Sequence, residues 1–172
     1  MSPATLIYFS PTRSTRRYLE AVARGWGLDV GQRIDLTRPA ARWRPWILDA
    51  PGPVLVGAPV YVGVLPAPVE EALSRMRGQG QPAVAVTVFG HVNRGSALEH
   101  LYDHLGSAGL QVVGAASLPA EHSFSRPGFP MAPGRPDEED LRAAEAFGAA
   151  VRTKLAASPD PANAAVPRPQ VS

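Results

Sequence analysis

The chain has 172 residues, 45% of them hydrophobic, a formal net charge of +2 and no cysteine. That length suits one domain with a sizeable core. The missing cysteines exclude disulfides, thiolate catalysis, zinc fingers and cysteine-held iron–sulfur clusters, and no apolar run reaches the length of a membrane span. The charge is unevenly distributed: residues 11–46 hold eight arginines against Glu20, Asp29 and Asp35, a local +5, and the remainder is −3. These arginines are scattered along a helix and a loop, the pattern of a solvated surface rather than a nucleic-acid footprint. The apolar run before Arg13, Arg16 and Arg17 reads as a strand rather than a leader. The expectation is a cytoplasmic protein with no nucleic-acid or membrane partner.

In chain order, the first strand falls at residues 5–9 and a helix at 14–26, with Tyr18, Leu19, Val22 and Ala23 on one face. A second strand fits 29–36, followed by a connection over 37–52 whose Trp43 and Trp46 are candidates to cover a sheet edge. The run 53–58 (PVLVGA) is apolar enough for a strand buried on both faces. Pro66 or Pro68 opens the next helix, with Val69, Leu73 and Met76 inward and Gly78 as its stop. A fourth strand spans 83–89, a helix 96–107 and a fifth strand 111–118. Residues 119–136 form a long proline-rich loop of the kind that is functional or disordered. Four carboxylates, Asp137 to Asp140, then open the last helix, where they complement its dipole; Leu141, Ala144, Phe147 and Val151 face inward to about Leu155. This alternation predicts an α/β fold with a five-stranded parallel sheet. The expected domain is residues 1–156, with 157–172, Ala- and Pro-rich, a disordered tail.

The segment joining the first strand to the first helix carries four hydroxyls close to Arg13: Ser10, Thr12, Ser14 and Thr15. A strand-to-helix turn gathers backbone N–H groups and the positive end of the helix, a ready anion site. The same hydroxyls serve equally well as helix caps, Ser14 being the candidate N-cap. The loop is neither the dinucleotide Gly-x-Gly-x-x-Gly nor the Gly-Lys-Ser/Thr of nucleotide hydrolases. It resembles the FMN phosphate loop of flavodoxins, usually Ser/Thr-x-Thr-Gly-x-Thr.

Three further segments, 57–66 (GAPVYVGVLP), 120–125 (AEHSFS) and 134–141 (GRPDEEDL), resemble the flavodoxin half of bacterial and archaeal flavodoxin–ferredoxin fusions. The resemblance covers about residues 4–155, and these 172 residues hold no cysteine that could belong to a ferredoxin half. It implies a flavodoxin-like three-layer sandwich of strand order 2-1-3-4-5 that binds FMN. Its phosphate would contact Ser10, Thr12, Arg13, Ser14 and Thr15. Its ring would lie among Pro59, Val60, Tyr61, Val62, Gly63, Phe89, Gly90, His91, Gly95 and His122, with Tyr61 as the stacking candidate. Two departures bear on this. Arg13 stands where a glycine is common, so it is strained by about 1 kcal/mol or more if that position needs positive φ, and otherwise adds a cationic contact. The loop Gly90-His91-Val92-Asn93-Arg94-Gly95 replaces the Gly-Asn-Arg often found after the fourth strand.

The implied role is electron transfer or flavin-dependent reduction, with a redox partner protein or a small-molecule reductant. Carrier and enzyme stay open, and no catalytic residue is assigned. The alternative is a flavodoxin-fold binding module that has lost FMN or takes another phosphorylated ligand. His100 and His104 have a metal-ligand spacing, but with no third ligand they read as an exposed helix face, so no metal is expected. Glu121-His122-Ser123 lacks the nucleophile elbow of a hydrolase.

Overall fold

The computed structural model describes residues 2–90, 93–158 and 160–170. In order, the elements are β1 (Ala4–Tyr8), α1 (Ser14–Trp26), β2 (Val30–Asp35), α2 (Pro39–Arg42), β3 (Trp46–Ile47), β4 (Val54–Pro59), α3 (Ala67–Ser74), β5 (Met76–Arg77), β6 (Pro82–Phe89), α4 (Ala97–Ser107), β7 (Gln111–Pro119) and α5 (Glu138–Ala157). Five strands form one parallel sheet in the order β2-β1-β4-β6-β7. Counting these five alone, that is 2-1-3-4-5.

Because side chains alternate along a strand, each central strand feeds two cores. Ile7, Val56 and Ala85 point to one side and pack with Val69 and Leu73 of α3 and Leu101 and Leu105 of α4. Leu6, Leu55 and Val84 point to the other and pack with Tyr18, Leu19, Val22 and Trp26 of α1 and Ala144 and Val151 of α5. The result is a three-layer sandwich with a doubly buried sheet. Apolar side chains three and four apart on α1 lock it to the sheet, and Gly27, at φ 79°, ends it by donating its N–H to the Ala23 and Arg24 carbonyls.

Two elements differ from the sequence reading. The helix after Pro66 stops at Ser74, ahead of Gly78. Met76 and Arg77 leave it to pair with Trp46 and Ile47, a two-residue parallel ladder that periodicity cannot reveal. Gly78 then donates its N–H to the Ala108 carbonyl at 2.6 Å. In the same region Trp46 donates from Nε1 to the Ala41 carbonyl, whereas Trp43 stays exposed. The terminal segment also differs. Val166 donates its N–H to the Val112 carbonyl on the outer strand β7 at 2.9 Å, and Ala164 is buried. One small side chain and one valine are enough to seat a stretch whose composition offers almost nothing else to bury.

The sheet's carboxyl edge carries the loops after β1, β4, β6 and β7. In an open α/β sheet that edge, where strand order reverses at β1/β4, is where ligands are held.

Candidate functional site

The loop 10–13 is shaped by Ser10. Its N–H donates to Thr37 Oγ1 at 2.8 Å, and its Oγ accepts the Arg16 N–H at 3.1 Å. Arg16 is the third residue of α1, so Ser10 does from six residues upstream what an N-cap side chain does. The residue at the cap position is Arg13, not Ser14, and it makes no side-chain cap bond. Arg13 has φ 65°, the left-handed region, so the glycine-like conformation is present without the glycine. Among the described residues, the N–H groups of Thr12, Ser14 and Thr15 have no acceptor. Three donors and the hydroxyls of Thr12 and Ser14, 3.2 Å apart, surround the start of α1, a cradle for an oxyanion.

That cradle is one end of a cavity of about 640 Å³, within the range of small-molecule and cofactor sites. Pro11, Thr12, Ser14 and Thr15 line one end. The walls are Pro59 to Gly63 from the end of β4 and the loop after it, Val88 to Gly90 and Asn93 from the end of β6 and the loop after it, and Ala120 to Phe124 after β7. The segment 61–64 is a tight hairpin: Tyr61 and Val64 exchange backbone hydrogen bonds of 2.9 and 3.1 Å, and Val62 and Gly63 both have positive φ (52° and 80°). That is the geometry of a type I′ turn, which suits Gly63 and strains the β-branched Val62. Tyr61 meets Phe9 edge-on at 6.5 Å and remains 45% exposed; partial burial pushes its phenol pKa up.

The far wall is fixed by hydrogen bonds within the long loop. Glu121 accepts the Gly134 N–H at 2.9 Å, which lowers its pKa. His122 Nδ1 accepts the Phe124 N–H at 3.0 Å, so the ring proton sits on Nε2. The imidazole lies on the backbone of Gly90, where a Cβ would come within 2.4 Å of it.

Of the residues singled out from the sequence, Thr12, Ser14, Thr15, Pro59, Val60, Tyr61, Val62, Gly63, Phe89, Gly90 and His122 line this one cavity. Ser10 holds the loop from behind, Arg13 turns it, and Gly95 packs on Gly63, where a Cβ would clash with the Gly63 carbonyl oxygen at 1.9 Å. None of these three lines the cavity, and His91 lies outside the described residues. Pro11, Val88, Asn93, Ala120, Glu121, Ser123 and Phe124 are additional lining residues. Proximity in sequence to a motif flags most of them; nothing flags Val88, which reads as a core residue. His100 faces Glu70 at 3.4 Å and Ser96 at 3.3 Å. Among the described residues no three potential metal ligands cluster.

No protein-family model matches the sequence, and no curated protein does. Solved structures do match. Oxidised Flavodoxin 2 from Bacillus cereus aligns over 89% of this chain and 99% of its own, with TM-score 0.60 and 16% identity. A flavodoxin from the domain Archaea aligns over 90% and 99%, with TM-score 0.57 and 17% identity. The fold is flavodoxin-like. Rubredoxin oxygen:oxidoreductase from the anaerobe Desulfovibrio gigas also aligns, over 91% of this chain but 37% of its own, with TM-score 0.59 and 18% identity. The flavodoxin-like fold here thus corresponds to whole flavodoxins and to part of a longer protein. In it, the cavity occupies the carboxyl edge where β1 and β4 diverge.

Proposed function

We propose that the protein binds FMN non-covalently and serves in electron transfer or flavin-dependent reduction. The observation that carries this reading is the pairing of an oxyanion cradle with a mostly apolar cavity on which the half-exposed Tyr61 borders. A flavin phosphate suits the open N–H groups of Thr12, Ser14 and Thr15, and a flat ring suits the space between the 59–63 turn and the 120–124 wall. When bound, the flavin supplies one- or two-electron chemistry. The chain's contributions are positioning and exclusion of water. Tyr61 would cover the open face of a bound ring, His122 would offer an Nε2–H donor, and Val60, Val88 and Phe89 would keep the interior apolar. The cysteine-free sequence suits a cytoplasmic setting.

The test is the visible spectrum after adding FMN and desalting. Retained bands near ~375 and ~450 nm are expected for bound oxidised flavin. Replacing Thr12 by Ala together with Thr15 by Val should weaken FMN binding by about tenfold or more, as two hydroxyl contacts are lost. A colourless wild-type protein sinks the proposal; tight binding of inorganic phosphate at the same loop would then favour a module for another phosphorylated ligand.

A further inference from the structure

The cavity mouth has the anatomy of a docking surface. At its lip Tyr61 is 45% exposed, Val62 102% and Phe124 75%, and Phe129, in the same loop as Phe124, is 58% exposed. A monomer gains nothing from presenting these four apolar side chains to water, and Val62 does so in a strained backbone conformation. Around them stand arginines. Arg94 lies over the Phe89 ring at 5.5 Å, and Arg42 lies over Phe9 at 5.9 Å. Arg126 and Phe129 bracket one turn, joined by reciprocal backbone hydrogen bonds. Among the described residues, none of Arg42, Arg94 and Arg126 has a carboxylate partner. Arg13, Arg17 and Arg44 lack one as well, whereas Arg16, Arg24, Arg33 and Arg38 in the same arginine-rich stretch are paired.

Of the acidic groups in the adjoining segment, Glu121 accepts the Gly134 N–H, Asp137 and Asp140 form the α5 cap with Asp140 also paired to Arg135, and Glu138 lies by Arg142; Glu139 is exposed. An apolar centre ringed by unpaired arginines is an interface composition, since Arg and aromatic residues are enriched there and the rim sets orientation and association rate. We propose that the cavity mouth docks an acidic protein, held by its apolar centre and steered by Arg94 and Arg126. The purpose of that docking, electron exchange through the cavity, rests on the proposed flavin reading, but the docking itself is measured without it.

The probe is a plant-type [2Fe–2S] ferredoxin, an acidic one-electron carrier, titrated into the protein by calorimetry, with a basic cytochrome c as the control. Binding to ferredoxin is expected at about 20 mM NaCl and should weaken about tenfold or more at about 300 mM. The double variant Arg94→Glu, Arg126→Glu should weaken it by a similar factor with an unchanged circular dichroism spectrum, and Val62→Asp should weaken it at both salt concentrations. Absent or salt-insensitive ferredoxin binding, or a preference for cytochrome c, overturns the proposal. So does attachment to vesicles of about 3:1 phosphatidylcholine to phosphatidylglycerol without ferredoxin binding, which would mark a membrane surface instead. Salt-dependent docking by a protein that retains no FMN would uphold this inference and reject the flavin reading.

Discussion

Arg13 shows how one residue can set the conformation of a whole loop. Its φ of 65° turns the chain from β1 into α1 and aims the following N–H groups into the cavity loop, at a cost of roughly 1 kcal/mol for a side chain with a Cβ. Arg13→Gly should therefore raise stability by up to about 1 kcal/mol, less the extra entropy of the unfolded glycine, as read from the urea midpoint. If the arginine side chain also assists an anion, the same variant will bind FMN more weakly, so stability and affinity would move in opposite directions. A midpoint lowered by the full entropic cost of a glycine would mean that the αL turn here is not strained. The sequence alone posed this question and could not answer it, because whether positive φ is required depends on Ser10 taking the Arg16 N–H. Tyr61 and His122, singled out through their motifs, both line the cavity. Val88 was not singled out, since an apolar residue at a strand end looks the same whether it meets core or ligand.

At the scale of elements, α1 and α5 cross with almost no separation. A Cβ on Gly148 would lie 2.1 Å from the Val22 carbonyl oxygen, and one on Gly25 would lie 1.8 Å from that of Glu145. Gly148→Ala should cost about 2–3 kcal/mol by forcing the helices apart, and a denaturation midpoint equal to wild type would refute the close crossing. The start of α5 is tied down differently. Asp137 and Asp140 form a capping box, and Asp140, its side chain only 6% exposed, also pairs with Arg135. Chiefly that guanidinium, against the opposing effect of burial, holds the Asp140 pKa below its ordinary 3.8. The folded state therefore binds this proton less readily than the unfolded state. The contribution is complete above the ordinary carboxylate pKa and disappears as pH falls through the lower folded value. Asp140→Asn should lower stability by about 2 kcal/mol at neutral pH and flatten the loss of stability below about pH 4. A variant whose acid unfolding curve parallels that of wild type would remove Asp140 from that account. The acidic run was readable from the sequence as a helix start; its link to Arg135 belongs to tertiary structure.

For the molecule as a whole, the order of apolar runs was enough to read the parallel sheet, because a short, wholly apolar run such as 54–59 suits a strand buried on both faces and little else. What escaped were features held by a few contacts between residues far apart in sequence: the pairing of Trp46–Ile47 with Met76–Arg77, and the seating of residues 160–170. That terminal segment answers a problem the sheet creates. Strand β7 is an edge, and its outward backbone groups would pair with another chain if left open. Val166 takes the Val112 carbonyl, the Tyr102 hydroxyl donates to the Val166 carbonyl at 2.9 Å, and Arg168 pairs with Asp103 at 2.7 Å. The ion pair is exposed and worth little by itself, so the backbone bond and the buried Ala164 carry the seating. Removing residues 160–172 should lower stability by about 1–2 kcal/mol and, more tellingly, produce concentration-dependent dimers through the freed edge. Sedimentation velocity across a hundredfold concentration range (about 1 to 100 μM, ordinary for weak self-association) reads this directly. A truncated chain that stays as monodisperse as the full one would show that β7 is protected by its own twist and short exposed length, and that the terminal segment merely rests there.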